Sequence, residues 1–487
     1  MKSRCSLFPM ITASPSTKFL TAAFPEPTAF GSDNDTMKNV GRYTILGRLG
    51  RGAMSTVYKA RAPVTGRTVA LKILQPRDEI FEELVGKERL REIFIEEARI
   101  MGEINHDHVA KIIDCHTEGA APFIVLEFFA HSIGSLIGEA YEVEKPSRII
   151  SINKTYHYIR QSLRGLERLH FAGIVHRDIK PFNLMITNDD RLKIIDFGLS
   201  RVRGEEKMAI PGMQVGSPYY AAPEQERKGS SADERSDLYS VGIMAYRMVT
   251  GRLVSSADQN IAAPSTHNDD INDAWDEFFL KAIRSNPDER YSSAHAMRLE
   301  LEKVHGQWAR QSQQHCTFMV RDSAGPKLGR QELRYTPAFL KHKDLKQHFD
   351  LDTLMRPRNY IPHRFEFVNR SLLKCIDTAL LWQREGAGFP LTWEKARHYI
   401  IYLNERQFQG YNSWRLPTMD ELFSLLRPPT MLRDFCFDAY FADDIHWIWS
   451  IDTCSKKKAW SVDIQESYIE ALDMDGMASV CPVVTLT

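Results

Sequence analysis

The chain has 487 residues, and its 63 Lys and Arg balance 63 Asp and Glu, so the formal net charge is zero. That balance argues against general binding of nucleic acid or membrane surfaces, both of which need a basic excess. The composition, 43% hydrophobic and 26% charged, is that of a soluble globular protein of two or three domains, and no apolar run approaches the roughly 18 residues that cross a bilayer.

Residues 1–40 are rich in Ser, Thr, Pro and Ala and show no period. Pro9, Pro15, Pro25 and Pro27 break the apolar run behind Lys2 and Arg4, so no signal-peptide core forms, and a disordered leader is expected, with Met37 as an alternative start. From Tyr43 the pattern turns to short strand-like runs, Tyr43–Leu49, Ser55–Arg61 and Thr68–Leu74, separated by turn residues. A charged helix is predicted over Asp78–Ile104, with Leu90, Ile93, Phe94, Met101 and Ile104 at helical spacing. Strands follow at Val109–Cys115 and Phe123–Phe129, then helices at Tyr156–His170, Ser236–Thr250, Ala274–Ile283 and Ala294–His305. A small β-rich lobe (from residue 41) thus precedes a larger helical one (to residue 305). Residues 306–360 are polar and basic and read as a linker with one short helix. The remainder, 361–487, is rich in Trp, with short strands and a helix near Trp393–Asn404.

Seven cysteines, Cys5, Cys115, Cys316, Cys375, Cys436, Cys454 and Cys481, form no CxxC pair. This spacing disfavours zinc ribbons and thioredoxin-like sites and favours reduced thiols in the cytoplasm. Four of the seven fall between Cys375 and Cys481, which leaves a bridge within the C-terminal part open.

Chemistry concentrates between the first strands and Glu224. Gly50 and Gly52, with Ser55 where a third glycine would be usual, join two strands and let backbone amides approach phosphate oxygens. A Gly-x-Gly hairpin alone is commonly only a turn. Lys72 lies in the apolar run Val69-Ala-Leu-Lys72, where an unpaired cation is costly to desolvate. Glu97 answers it, four residues after Ile93 and four before Met101 on the apolar stripe of the next helix; the alternative is a solvated pair of charges. In His176-Arg-Asp178-Ile-Lys180-Pro-Phe-Asn183, Asp178 is placed to orient a substrate hydroxyl and accept its proton, Lys180 to neutralise phosphoryl charge and Asn183 to bind Mg²⁺. Asp196-Phe-Gly198 follows an apolar strand and supplies a second metal carboxylate, Asp196; Ala222-Pro-Glu224 closes the segment.

Taken in this order, the motifs of residues 41–305 resemble those of bacterial eukaryotic-like (Hanks-type) Ser/Thr protein kinases. The resemblance implies a bilobal α+β kinase fold with ATP as phosphoryl donor, Mg²⁺ (or Mn²⁺) as metal, and protein substrates. It implies that Val57, Ala70 and Met185 sandwich the adenine, that Leu126 is the gatekeeper, and that a hinge runs from Glu127 to Phe129. Met101, Ile112, His176 and Phe197 match the apolar stack linking the lobes, Asp237 the anchor of the catalytic loop, and Arg290 the partner of Glu224. Lys180, with Gly216-Ser217-Pro218, points to Ser/Thr rather than Tyr acceptors. Relatives commonly carry activating threonines between Asp196 and Glu224, but this chain has none there. Glu205 and Glu206 are candidates for a permanent negative charge near Arg177, or else two solvated loop residues.

In the tail, Ile376-Asp-Thr-Ala-Leu-Leu-Trp382-Gln, Leu391-Thr-Trp393, Trp414-Arg-Leu-Pro-Thr-Met-Asp-Glu421, Trp449-Ser450 and Ala459-Trp460-Ser-Val-Asp resemble the C-terminal domain of collagen-like bacterial adhesins. That implies a separate small C-type-lectin-like α+β domain, similar also to the formylglycine-generating-enzyme fold, with an unknown ligand or protein partner. Relatives pair a cysteine at the position of Ile400 with one near Cys481; its lack here agrees with a reducing compartment. Acidic Asp443-Asp444 and Asp473/Asp475 are calcium candidates or solvated loop residues, and the tryptophans are core or a ligand surface. The function expected is a Ser/Thr kinase with a sensing or substrate-recruiting tail; the alternative is a pseudokinase scaffold that only binds nucleotide.

Overall fold

The computed structural model describes residues 39–486, except 53, 77–81, 84, 120, 140–142, 197–200, 203–218, 227–231, 255–260, 320–331, 361–362, 428–440 and 442–444. The first strands are β1 (Tyr43–Arg51), β2 (Ser55–Arg61) and β3 (Thr68–Leu74). Helix α1 (Lys87–Glu103) follows, then β4 (Ile112–His116) and β5 (Phe123–Glu127). They build an antiparallel sheet in the order β1-β2-β3-β5-β4, with Asn39–Val40 on its outer edge. Val57 pairs with Lys72, Lys59 with Ala70, Lys72 with Ile124 and Ala70 with Leu126. Directly paired residues share a face, so all six of these side chains lie on one side of the sheet. On the other side Tyr43, Ala60, Val69, Leu71, Ile73, Phe123 and Val125 close a small core.

The helix predicted over Asp78–Ile104 is interrupted: residues 82–83 and 85 are helical, 77–81 and 84 lie outside the described residues, and α1 begins anew at Lys87. Gly86 has φ 87°, a left-handed conformation through which an α-helix cannot run. Beyond it Leu90, Phe94, Glu97, Ala98 and Met101 form the buried stripe, so Glu97 is carried inward with the apolar residues.

The helical lobe consists of α2 (Ile152–Phe171), α3 (Glu234–Thr250), α4 (Asp273–Ala282) and α5 (Ala294–Met319). Ser151, Asp233 and Asn272 side chains accept first-turn amides and start the first three, while Gly251 at φ 69° ends α3. Helix α2 packs against the strand Leu192–Ile194 at Gly165, where a Cβ would come 2.6 Å from Ile194 Cδ1 and 2.9 Å from the His108 carbonyl. Glu224 is clamped by Arg290, whose Nη1 and Nη2 donate to its two oxygens at 2.7 and 2.8 Å while also serving the Arg235 and Ser285 carbonyls.

The C-terminal part contains α6 (His342–His348), a sheet of β6 (Phe365–Asn369), β7 (Leu372–Cys375), β8 (Leu380–Gln383) and β12 (Val483–Thr485), and helix α7 (Trp393–Glu405). A second sheet holds β9 (Trp447–Thr453), β10 (Lys458–Asp463) and β11 (Tyr468–Asp473). Trp382, Trp414, Trp449 and Trp460 are almost wholly buried. The indole N–H groups of Trp414, Trp449 and Trp460 donate to the Phe408, Leu391 and Leu340 carbonyls, so these rings are core, with their polar edge satisfied. Cys375 and Cys454 are free thiols; Cys436 lies outside the described residues.

Residues 306–360, expected as a linker, behave otherwise where described. Helix α5 continues to Met319, and Leu345, Phe349, Leu351 and Met355 are buried in the same core as Trp382 and Trp460. Their apolar spacing is too sparse to register as a period; only contact with residues a hundred positions later reveals their face.

The C-terminal part packs directly on the helical lobe. The Arg148 guanidinium lies 3.9 Å over the Tyr468 ring and its Nε donates to the Leu354 carbonyl at 2.7 Å. The His131 ring stacks on Trp447 at 4.0 Å, and Arg356 donates to the Ile149 carbonyl at 2.9 Å. Glu466, in the turn between β10 and β11, accepts from the Ser151 hydroxyl at 3.0 Å.

Two outcomes follow from this packing. Arg290→Ala strands the Glu224 carboxylate and lowers stability by about 3–5 kcal/mol in denaturant titration, and Arg290→Lys recovers only part because it lacks the bidentate fork. Burial pushes the Glu466 carboxyl up to about 7 against the pull of Arg356, with Asp463 adding to the rise and Lys154 and Ser151 opposing it. A raised carboxyl holds its proton when the unfolded chain has released it, so its stabilising share is full below the ordinary carboxylate range and is lost as pH rises through about 7. Glu466→Gln therefore flattens the fall in melting temperature between about pH 5 and about pH 8.

Candidate active site

The cleft between the two lobes gathers the chemical groups from separate elements. Lys72, on the cleft face of β3, is buried, and its Nζ lies 2.5 Å from Glu97 Oε1 and 2.9 Å from Asp196 Oδ1. Burial alone would lower the Lys72 ammonium, but the Asp196 and Glu97 carboxylates outweigh it and raise it. Burial would likewise raise Asp196, and Lys72 instead holds it well below the usual carboxylate range. The cation therefore stays charged.

Beneath it the loop from His176 to Asn183 is held from below by the buried Asp237. Its Oδ2 accepts from the His176 amide at 2.9 Å and its Oδ1 from the Arg177 amide at 2.7 Å, while His170 Nε2 lies 2.9 Å from Oδ2. This grip supports Arg177 at φ 67°, a left-handed conformation that costs a non-glycine residue on the order of 1 kcal/mol. His176 Nε2 reaches the Ile195 carbonyl at 3.0 Å and so ties the loop to the residue before Asp196.

Asp178 is nearly buried. Its Oδ2 accepts from Lys180 Nζ at 2.8 Å and from Asn183 Nδ2 at 3.0 Å, and the same Nδ2 donates to the Asp178 carbonyl at 2.8 Å. Those two bonds fix the orientation of the Asn183 amide. Its Oδ1 is left buried with no hydrogen-bond partner among the described residues. A buried amide oxygen without a donor, together with the Asp196 carboxylate, is a hard-oxygen set that suits a divalent cation such as Mg²⁺.

The remaining predicted residues fall around the same cleft. Gly50 pairs with Val57 across the hairpin, and the Gly52 amide donates to the Ser55 carbonyl at 2.8 Å, making the turn tight. Val57, Ala70 and Leu126 share the Lys72 face by register. Met185 lies on the short strand Leu184–Ile186 of the helical lobe, and Glu127 ends β5, followed by the half-buried Phe128 and Phe129. Met101 and His176 are buried and Ile112 is half-buried; Phe197 is outside the described residues, as are Gly198, Ser200, Glu205, Glu206, Ser217 and Asp443–Asp444. Two residues escape the sequence reading: His170, which shares Asp237, and Lys59, whose place on the cleft face was readable from its period-two relation to Val57.

The protein kinase domain family matches residues 43–301, and the Lcl C-terminal domain family matches residues 376–484. A probable serine/threonine-protein kinase of Clostridium acetobutylicum is 33% identical over 290 residues, covering 57% of this chain and 42% of its own length. The serine/threonine-protein kinase PksC of Streptomyces coelicolor is 36% identical over 282 residues, 54% of this chain and 49% of its own. PknL of Mycobacterium tuberculosis, also a serine/threonine-protein kinase, is 31% identical over 275 residues, 54% of this chain and 65% of its own. The chain thus spans about half the length of the curated relatives it matches. Among the described residues no helix is long and apolar enough to cross a membrane. With a match running from residue 43 to residue 301, over half of the sequence, the chain belongs to the protein kinase domain family.

Proposed function

We propose that the chain is an active Ser/Thr protein kinase that moves the ATP γ-phosphate to hydroxyls of protein substrates. The observation that carries this reading is Lys72 joined at once to Glu97 and Asp196, with Asp178 and the open Asn183 oxygen in the same cleft. Phosphoryl transfer needs positioning and charge neutralisation more than covalent chemistry, and this set supplies both. Asp178 orients the acceptor hydroxyl and takes its proton; Lys180, already on Asp178 Oδ2, neutralises the phosphoryl oxygens during transfer. Lys72 holds the donor phosphates, and Glu97 keeps its ammonium in place. Gly50, Gly52 and Ser55 cover the phosphates, Val57, Ala70 and Met185 hold the adenine, and Leu126, Glu127 and Phe129 bound it at the hinge. Asn183 and Asp196 would hold Mg²⁺, with Mn²⁺ a substitute, and the bound ion neutralises charge on the transferred group. Lys180 two residues after Asp178, and the names of the relatives, support Ser/Thr acceptors.

We read residues 41–305 as the catalytic domain and the C-terminal part as a C-type-lectin-like α+β domain that senses a signal or recruits substrate. The Lcl C-terminal domain match supports a distinct C-terminal unit, and the free thiols of Cys375 and Cys454 support a cytoplasmic setting.

The test is Mg-ATP phosphotransfer by the full chain to a generic basic protein, read by mass spectrometry. Asp178→Asn lowers the rate at least about 100-fold, and Lys72→Met abolishes transfer, with thermal melting separating that loss from the destabilisation caused by stranding Glu97. No transfer by the wild type while nucleotide still binds overturns catalysis in favour of a pseudokinase scaffold.

A further inference from the structure

We propose that the C-terminal domain is a strap across the hinge, joining the two lobes from outside and slowing the release of nucleotide. The proposal rests on the kinase reading for its consequence and on the contacts of one strand for its geometry.

Strand β11 carries an anchor at each end. At its start Tyr468 lies under Arg148 of the helical lobe, with the guanidinium 3.9 Å from the ring centroid. In its middle Glu470 lies 3.3 Å from Nδ1 of His131, just beyond the hinge. At its end Asp473, with Asp475 in the turn that follows, reaches the β-rich lobe. Lys59 Nζ is 2.8 Å from Asp473 Oδ2 and 2.6 Å from Asp475 Oδ1. The same ammonium is 4.9 Å from the ring centroid of Phe128, a hinge residue. Six residues of strand thus run alongside the hinge for roughly 17 Å, from one lobe to the other.

The two ends differ in kind. On the helical lobe the contacts combine ring stacking, cation–π and backbone hydrogen bonds: Trp447 on His131, Tyr468 under Arg148, Leu354 and Ile149 carbonyls on Arg148 and Arg356. Those contacts set the C-terminal domain rigidly on that lobe. On the β-rich lobe the anchor is an ion triad, with the Lys59 side chain 9% exposed and its partners at 41% and 37%. The turn bearing the carboxylates is itself braced. Its Gly476 amide donates to the Asp473 carbonyl at 2.7 Å, and the Met474 carbonyl accepts from the Trp393 amide of α7 at 3.0 Å. Opening the cleft moves Lys59 with the β-rich lobe while the turn stays with the other, so opening must break the triad. Lys59 also shares its sheet face with Val57 and Ala70, the residues assigned to the adenine, so the strap ends at the rim of the nucleotide site.

The experiment compares the wild-type full chain with Asp473→Asn/Asp475→Asn, which keeps shape and removes charge. Readouts are hydrogen exchange in peptides spanning 123–132 and the dissociation rate of a fluorescent ATP analogue. The variant exchanges faster at the hinge and releases nucleotide about 3- to 10-fold faster, while exchange at β9 stays unchanged. Adding Lys59→Met to the double variant adds less than the same substitution does in the wild type, Lys59→Arg in the wild type preserves slow release, and high salt moves the wild type toward the variant. Unchanged hinge exchange and release in a variant that melts like the wild type overturns the strap, as does a wild type indifferent to salt if the variant is unstable. If the wild type binds no nucleotide, the kinase reading fails on its own, and hinge exchange still decides for or against the strap.

Discussion

A single buried ammonium organises the β-rich lobe. Taking the Lys72 charge out of water costs several kcal/mol unless it is matched by opposite charge, and nothing on its own strand can do that. The match comes from two distant elements, Glu97 on α1 and Asp196 beyond the strand Leu192–Ile194. Helix α1 must therefore dock on the sheet with one rotation only, Leu90, Phe94 and Met101 inward, and the helical lobe must approach to within one ion pair of β3. The requirement that makes the cleft chemically competent is the same one that sets the lobes face to face.

A second buried charge does for the helical lobe what Lys72 does for the sheet. Asp237 spends its carboxylate on the amides of His176 and Arg177, groups that the bent loop cannot bond to itself. Held there, the chain can carry Arg177 at positive φ and still present Asp178, Lys180 and Asn183 on one side. Both devices place an ionised group in the interior and let its unmet valence dictate the position of the backbone around it.

Much of this was legible beforehand because its causes are local. Short strand-like runs bounded by turn residues mark β2 and β3; the spacing of Ile93, Glu97 and Met101 carries a carboxylate onto a buried stripe; the run from His176 to Asn183 keeps its chemistry within eight residues. What escaped has distant causes. The start of α1 depends on the conformation of Gly86, which composition alone does not reveal. Leu345, Phe349 and Met355 look like stray apolar residues in a basic stretch until the second core closes over them. Lys59 and Arg148 carry no local signal, since Asp473, Asp475 and Tyr468 lie hundreds of residues later. The tryptophans of the tail could have been core or ligand surface, and the near-complete burial of Trp382, Trp414, Trp449 and Trp460 decides for core.

The helical lobe meets the C-terminal domain through His131, Arg148 and Ser151, and this has a consequence for how the chain is made. His131, Arg148 and Ser151 are synthesised some three hundred residues ahead of Trp447, Tyr468 and Glu466, which at about 5–20 residues per second is a delay of roughly 15–60 s on the ribosome. During that interval the catalytic lobes can fold with this face still in water. A face built from an arginine, a lysine, a histidine and a serine tolerates such a wait, where an equal area of leucine and phenylalanine would invite aggregation. The polar character of the seam suits a chain whose two halves are born one after the other and must meet late.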